Sequence, residues 1–166
     1  MPSPYKILLK STVKEKIYRS ALFKAIRLAL REEKFCEPCE LSLFFCDDET
    51  IRRLNREYRG KDVATDVLSF SQREGDLPPE PLDGTIVLGD IVISVPFARR
   101  QAERLGRDLE EELILLSLHG LLHLLGYEDE SPSASARMDA RVRFFIGKSA
   151  VKSEGKKKSG PANCKR

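Results

Sequence analysis

The stretch DLEEELILLSLHGLLHLLGYEDE, residues 108–130, contains the most apolar helix that the sequence predicts. Asp108 is a typical N-cap residue, and the helix is expected to run to about Leu125. Gly126 follows at once and suits the left-handed turn that ends many helices. The chain has two histidines, His119 and His123, and both lie in this segment. The segment therefore predicts a helix that ends in a tight turn, with both histidines near its C-terminal end.

The segments on either side mix strand-like and helix-like patterns. Strands are expected at residues 5–10 and 40–46, within 63–70, and at 85–95, the last as a bent strand or a hairpin around Gly89 and Asp90. Helices are expected at residues 14–33, from Asp47 or Asp48 to about Tyr58, from Pro96 to about Leu105, and from Ser131-Pro132 to about Phe145, with a Pro- and Gly-rich loop at 74–84. Because strict βαβ alternation is missing, we predict an α+β fold in which a small mixed sheet packs against helices, with a metal site on the helix that carries the histidines.

Length and composition describe one globular domain. The chain has 166 residues, 41% of them apolar, which is too high a fraction for a disordered chain. No stretch approaches the roughly 20 apolar residues of a membrane span, and no secretory signal is visible at the N-terminus. The four cysteines are expected to be reduced thiols in a cytoplasmic protein. Cys36 and Cys39 end a helix before a strand, the reverse of a thioredoxin-type motif, which argues against a redox role.

The net charge is unevenly distributed along the chain. Residues 147–166 hold seven Lys and Arg against one Glu, so the formal charge of +3 for the whole chain becomes 22 − 25 = −3 for residues 1–146. We therefore predict a folded domain at 1–146 and a basic, disordered C-terminal tail at 147–166. The tail is suited either to docking on RNA or only to keeping the protein soluble.

The spacing of the histidines predicts a metal site. Side chains four residues apart in a helix lie on one face, so one ion is within reach of His119 and His123. The turn at Gly126 then brings the chain back past the pair, and Asp129 follows ten residues after His119. Two helical ligands and one ligand from the returning chain leave a coordination position open, as in catalytic zinc sites.

The two histidines have two other interpretations. Hydrogen-bonded core residues are the commoner fate of a single histidine, although a pair with this spacing is less easily explained that way. A metalloprotease of the H-E-x-x-H type would need a glutamate after the first histidine as general base. Gly120 stands there and has no side chain, so the protease interpretation is disfavoured.

Three blocks of the sequence resemble the YbeY family of bacterial endoribonucleases and rRNA maturation factors. The segment from His119 to Asp129 is similar to the family pattern H-G-x-L-H-L-x-G-Y-D-H. Two further blocks are similar to the family and occur in the same order as in its members: LNREYRGKD at 54–62 followed by TDVLSF at 65–70, and LGDIVIS at 88–94. The resemblance covers roughly residues 5–146. It implies an α+β fold, one metal ion, usually zinc, and hydrolysis of single-stranded RNA in maturation of the 3′ end of small-subunit (16S) rRNA and in ribosome quality control. Ribosomal proteins and assembly GTPases are the partners that it suggests, besides the small-subunit rRNA precursor.

The chain departs from the family pattern at the third metal ligand, where the family has a histidine and this chain has Asp129. Aspartate binds zinc through oxygen, so a His/His/Asp site is chemically reasonable. The anionic ligand lowers the charge of the metal centre by one, weakens the metal as a Lewis acid and favours harder ions such as manganese. Glu128 and Glu130 are alternative carboxylates, although the spacing favours Asp129.

The resemblance also assigns a role to Arg59, which matches the functional arginine of the family. A guanidinium can bind two phosphoryl oxygens at once, which suits phosphodiester cleavage. The alternative for Arg59 is a surface salt bridge to Asp62 or Glu57. Asp66 is interpreted either as an acceptor for a ligand histidine or as a turn cap. Two further groups of basic residues are either phosphate-binding surfaces or solvated helix faces. The first group is Arg52, Arg53, Arg56 and Lys61, and the second is Arg99, Arg100, Arg104 and Arg107.

The sequence thus predicts a metal-dependent endoribonuclease. The alternative from another class is a ribosome-assembly or RNA-binding factor that does not catalyse and holds a structural metal.

Overall fold

The computed structural model describes residues 2–73 and 82–151. Nine elements follow one another along the chain: β1 (Tyr5–Ser11), α1 (Arg19–Glu32), β2 (Cys39–Cys46), α2 (Asp48–Arg59), β3 (Val67–Ser71), β4 (Ile86–Ser94), α3 (Val95–Leu105), α4 (Leu109–Leu124) and α5 (Pro132–Val151). Most of the predicted loop at 74–84 lies outside the described residues. The predicted α+β class is confirmed.

The four strands form one mixed sheet in the order β1-β2-β4-β3. β1, β2 and β4 run parallel, and β3 pairs antiparallel with β4 at the edge. The segment predicted at 85–95 therefore contains one irregular strand, Ile86–Ser94, and not a hairpin. The pairing of β4 with β2 shifts by one residue at Leu88, and Gly89 has a φ of +146°. A side chain at Gly89 would collide with the carbonyl oxygen of Phe70, so this irregularity depends on glycine.

Helix α4 packs against one face of the sheet, between α1, α3 and α5. Leu118, Leu121 and Leu122 on this helix are fully buried in the main core. Asp108 forms a capping box with Glu111 at the start of α4, as its position in the sequence predicts. Helix α2 covers part of the opposite face, where Ile51 packs against Cys46 and Leu68.

Helix α1 begins at Arg19, so the prediction of a helix from residue 14 is wrong for residues 14–18. The chain after β1 remains attached to the sheet, because the Thr12 amide donates to the Phe45 carbonyl at 3.0 Å. Ile17 has the spacing of the helical face, yet it packs against the core from the segment before the helix. Apolar spacing alone does not distinguish these two placements.

Helix α5 is longer than predicted and reaches Val151. Residues 147–151, which the sequence assigned to the disordered tail, are thus helical. Phe145 is fully buried, and Lys148 Nζ lies 2.6 Å from Glu32 Oε1 on α1, so contacts with α1 extend the helix past Phe145. The rest of the predicted tail, residues 152–166, lies outside the described residues. In the part of the chain that is described, no helix combines the length and apolar character that crossing a membrane requires.

Candidate functional site

A cavity of about 870 Å³ opens beside the C-terminal half of α4. Its walls come from α4, the edge strand β3, the ends of α2 and α3, the turn after α4, and α5. The structure brings the predicted residues Arg59, His119, His123 and Asp129 together around this cavity. Other polar residues also line it: Asp66, Ser69, Gln101, Arg107, Glu112, Glu128, Glu130, Asp139 and Arg143.

Gly120 explains how α4 presents the histidines. A Cβ at this position would lie 2.8 Å from Ile91 Cγ2, so glycine lets the helix approach β4 closely. The Gly120 carbonyl also accepts a hydrogen bond of 3.3 Å from Ser69 Oγ on the edge strand. The side chain that the metalloprotease motif needs at this position would point into Ile91 and not into the cavity. The absence of a general base there is therefore a packing requirement.

The histidine side chains are not enclosed in the core. His119 and His123 are 30% and 33% exposed, and both line the cavity. His123 Nδ1 lies 3.2 Å from the Tyr127 carbonyl, which can only accept a hydrogen bond, so Nδ1 carries the proton. In the neutral imidazole the lone pair is then on Nε2, which faces Asp129 Oδ2 at 3.4 Å. A backbone carbonyl that fixes the tautomer in this way is typical of metal-binding histidines.

Contacts from two other helices hold the turn that makes this arrangement. Gly126 has a φ of +100° and turns the chain at the end of α4. Tyr127 Oη donates to Glu33 Oε2 at 2.9 Å, and Arg141 of α5 binds Glu33 Oε1 at 2.7 Å. Burial and the adjacent Glu33 raise the pKa of Tyr127, so its hydroxyl stays protonated and remains a donor. The carbonyl that orients His123 is thus anchored to α1 and α5.

His119 has a carboxylate neighbour of its own. Its Nε2 lies 3.4 Å from Asp139 Oδ1 on α5. Burial lowers the pKa of His119 below its ordinary value of 6.5, an effect that Asp139 partly opposes. The imidazole is therefore mainly neutral at pH 7, which is the form that binds metals.

The imidazole and carboxylate donors at the cavity stand in pairs. Both Nε2–carboxylate distances of 3.4 Å exceed the range of a good hydrogen bond. They match the separation of about 3.3–3.4 Å between two ligands of a tetrahedral ion with bonds of 2.0–2.1 Å. Among the described residues no three His, Cys, Asp or Glu side chains form a ready-made metal-binding group. The donors stand instead as two His–Asp pairs that face one cavity.

Arg59 lies at the C-terminal end of α2 and faces the same cavity. Its Nη2 donates to the Ser69 carbonyl at 3.2 Å, which holds the side chain against the edge strand. The alternative of a salt bridge to Asp62 is not what the structure shows, because Arg52 and Arg56 bind that carboxylate. Within residues 2–73 and 82–151, no carboxylate lies within 4.0 Å of the Arg59 guanidinium. Among these residues, no negative charge in direct contact offsets the positive charge that Arg59 presents to the cavity.

Sequence reasoning missed a buried polar network at the far wall. Glu112 is 1% exposed, and its two oxygens accept hydrogen bonds of 2.9 Å from Gln101 Nε2 and Arg107 Nη1. Gln101 also donates to Asp66 Oδ2 at 3.3 Å. One signal was available: Glu112 is seven residues before His119 and therefore on the same helical face. No comparable signal pointed to Asp139, which lies on a different helix.

Several of the remaining candidates have structural partners. The second oxygen of Asp66, Oδ1, accepts from the Val67 amide at 2.7 Å, as a turn cap does, and no hydrogen bond joins it to either histidine in the described chain. Arg99 pairs with Glu15 and Arg100 with Asp48, so these cations are partly neutralised. Cys39 is a buried free thiol, and burial raises its pKa to about 11.

Comparisons with known proteins identify the family and the fold of the chain. A family model described as Endoribonuclease YbeY matches residues 7–149. The protein named Endoribonuclease YbeY from Halalkalibacterium halodurans is 47% identical over 123 residues, which cover 71% of this chain and 77% of that protein. Its counterpart in Moorella thermoacetica is 45% identical over 131 residues, covering 76% and 83%. A solution structure of a Thermotoga maritima protein is similar in fold, with a TM-score of 0.56 at 23% identity over 96% of this chain and 99% of that one. The chain belongs to the YbeY family.

Proposed function

We propose that this protein is a metal-dependent endoribonuclease that hydrolyses phosphodiester bonds in single-stranded RNA. The observation that carries the proposal is the pair of imidazole Nε2 atoms that face carboxylates in a cavity shared with the Arg59 guanidinium. Family membership supports the class of reaction, since the matched relatives are named endoribonucleases.

In this proposal His119, His123 and Asp129 hold one divalent ion, Zn²⁺ or a harder ion such as Mn²⁺. When bound, such an ion supplies Lewis acidity for hydrolysis at neutral pH. The Tyr127 carbonyl keeps the proton of His123 on Nδ1, so Nε2 is the donor atom. His119 is already neutral at pH 7 and needs no deprotonation before it binds metal.

Arg59 binds and orients the phosphate of the RNA. Two of its properties suit that role: the Ser69 carbonyl fixes the side chain, and no carboxylate in the described chain neutralises it. Negative charge builds up on the phosphoryl oxygens as the attacking oxygen bonds to phosphorus, and on the leaving oxygen as its own bond breaks. A fixed cation beside the phosphate therefore stabilises the transition state more than the ground state. The preference for single-stranded RNA in this proposal rests on the family resemblance.

The biological substrate in this proposal is the small-subunit rRNA precursor, cut near its 3′ end, with a further role in ribosome quality control. Ribosomal proteins and assembly GTPases are the proposed partners, and the cytoplasm is the proposed location. These details rest on the family resemblance, and the basic residues of the C-terminal segment are compatible with binding near RNA.

Cleavage of an unstructured RNA oligonucleotide by purified protein tests the proposal. We expect cleavage that EDTA abolishes and added Zn²⁺ or Mn²⁺ restores, and no cleavage of the same sequence in a duplex. Cleavage that resists EDTA would contradict the metal-dependent mechanism. If the protein binds metal and RNA but does not cleave the RNA, the alternative is favoured: a ribosome-assembly factor with a structural metal. The observation that supports this alternative is Asp129, which stands where the family has its third histidine.

A further inference from the structure

We propose that the open part of the sheet face beside α2 binds bases of the RNA strand whose phosphate Arg59 holds. The inference rests on the proposed function, because the RNA is the substrate proposed there. A second groove, of about 810 Å³, lies on this face. Leu54 and Tyr58 of α2 line the groove together with Phe44 and Phe70 of the sheet, so it adjoins the cluster that α2 covers.

The groove presents aromatic rings that the core does not enclose. Tyr58 is 67% exposed, and its ring meets that of Phe70 edge to face, with 5.2 Å between the ring centres. Phe70 and Phe44 are half-buried and line the same groove. Single-stranded RNA stacks its bases on exposed rings of this kind, and the stacking tolerates any sequence because every base has a π-face.

Two cations give the groove a charge that suits RNA. Lys10 Nζ lies 5.4 Å from the centre of the Phe44 ring, and Arg19 also lines the groove. In the part of the chain that is described, neither cation has a carboxylate within 4.0 Å. An apolar protein surface that covered them would leave both charges buried and unpaired, which is unfavourable, whereas phosphate groups pair with them. The charges therefore favour RNA over an apolar protein partner.

The groove continues from the site around Arg59. Tyr58 precedes Arg59 at the end of α2, and Ser69, whose carbonyl holds Arg59, precedes Phe70 in β3. Successive residues of a strand point to opposite faces of a sheet. Ser69 accordingly contacts Gly120 on α4, whereas Phe70 packs on the other face. Because β3 is an edge strand, an RNA strand with one phosphate at Arg59 reaches Phe70 and Tyr58 by crossing this single strand.

Binding of a fluorescein-labelled oligoadenylate of roughly ten nucleotides, followed by anisotropy in EDTA, tests the inference without cleavage. We expect Tyr58→Ala to weaken binding about tenfold, because it removes one stacking ring, and Tyr58→Phe to bind like the wild-type protein. Phe144→Ala is the matched control and should also bind like the wild-type protein. Phe144 is 44% exposed and lies beside the cations Arg141 and Lys148, but on α5 and outside the groove. Thermal unfolding checks that each variant is folded.

Two further probes separate stacking from charge. Wild-type protein and Tyr58→Ala should bind an abasic oligonucleotide of the same length with equal affinity, because it has no bases to stack. The chain has no tryptophan, so Tyr58→Trp places a single one in the groove, and we expect added oligoadenylate to quench its fluorescence.

The salt dependence of binding tests the role of Lys10. Lys10→Gln should reduce the slope of log affinity against log salt concentration by about 0.7, the value for one phosphate contact with a single strand. Lys6→Gln is the control from the same strand. Lys6 pairs with Glu40 at 2.9 Å, so its loss should leave the slope nearly unchanged.

Equal RNA affinity of Tyr58→Ala and Phe144→Ala would overturn the inference, and so would an equal loss of affinity by Tyr58→Ala for the abasic oligonucleotide. A wild-type dimer that Tyr58→Ala converts to a monomer in sedimentation would show that a second copy covers this face, which also overturns it. If the wild-type protein binds no single-stranded RNA, the proposed function fails together with the inference. If RNA binds and Tyr58→Ala behaves like the control, only the inference fails. If RNA binds through Tyr58 but no added metal produces cleavage, the proposed function fails and RNA binding by this face stands.

Discussion

Gly120→Ala should destabilise the protein although alanine is the better helix former. Replacing glycine in the middle of a helix normally gains roughly 0.5–1 kcal/mol. At this position the added Cβ would lie 2.8 Å from Ile91 Cγ2 and 3.1 Å from two further atoms of the same side chain. Ile91 is fully buried in the sheet and has no open space to move into. Overpacking of this kind costs about 1–3 kcal/mol, so we expect a net loss of about 1 kcal/mol in the free energy of unfolding.

The matched control for this change is Gly147→Ala. Gly147 lies in α5, and a Cβ there would have no atom within 4 Å. It should therefore show the gain in helix propensity alone, so that the two variants differ by about 2 kcal/mol in total. Urea denaturation followed by circular dichroism measures both. A Gly120→Ala variant as stable as Gly147→Ala would refute the argument that close packing on Ile91 fixes α4.

The same substitution should disturb the site. Relief of the clash moves α4 away from β4, and the histidines on either side of position 120 move with it. We therefore expect weaker divalent metal binding by Gly120→Ala than by the wild-type protein, measured by competition with a chromogenic chelator. Gly147→Ala, far from this contact, should bind metal like the wild-type protein.

Three further substitutions test separate parts of the structure. Arg59→Ala should lower kcat/KM for single-stranded RNA by a factor of about 10²–10³ with unchanged metal content and thermal midpoint. Arg53→Ala on the same helix should have little effect, and equal activities of these two variants would contradict the phosphate-binding role of Arg59. Arg107→Met leaves the buried Glu112 carboxylate without its cation and should cost about 3 kcal/mol in urea denaturation, and adding Glu112→Leu should recover most of it. Asp47→Ala removes the N-cap of α2 and should cost about 1 kcal/mol at pH 7. Hydrogen bonds to the carboxylate lower the pKa of Asp47 below 3.8. Its contribution to the free energy of unfolding is therefore complete above pH 3.8 and is lost as the pH falls through the lower pKa of the folded state. A difference in unfolding free energy between wild type and Asp47→Ala that is as large at about pH 2 as at pH 7 would contradict this assignment.

Local signals in the sequence predicted most of the elements. Asp108 and Asp47 are both N-caps where the pattern placed them, and Gly126 turns the chain at the end of α4. These features depend on interactions within a few residues, which a sequence displays directly. The same is true of the histidine spacing, which brings both imidazoles to one cavity.

Features that depend on tertiary contacts were not predictable. Ile17 satisfies a helical pattern, yet it packs against the core from the segment before α1, and the hydrogen bond of the Thr12 amide to the distant Phe45 carbonyl keeps the start of that segment on the sheet. The part of α5 beyond Phe145 contains Lys148, which pairs with Glu32 on another helix. Asp139 reaches His119 only because α5 packs beside α4, and no spacing rule connects residues on separate helices. Sequence patterns therefore described each segment better than the contacts between segments.

The position of α5 at the end of the fold has a consequence for synthesis on the ribosome. Both histidines precede this helix in the chain, whereas Asp139 and Arg141 lie on it. A nascent chain that already contains α4 therefore lacks one wall of the cavity and the ion pair that anchors the turn after His123. Synthesis proceeds from the N-terminus, so α5 emerges after these elements. The candidate site is thus completed only after all four strands of the sheet have been synthesised.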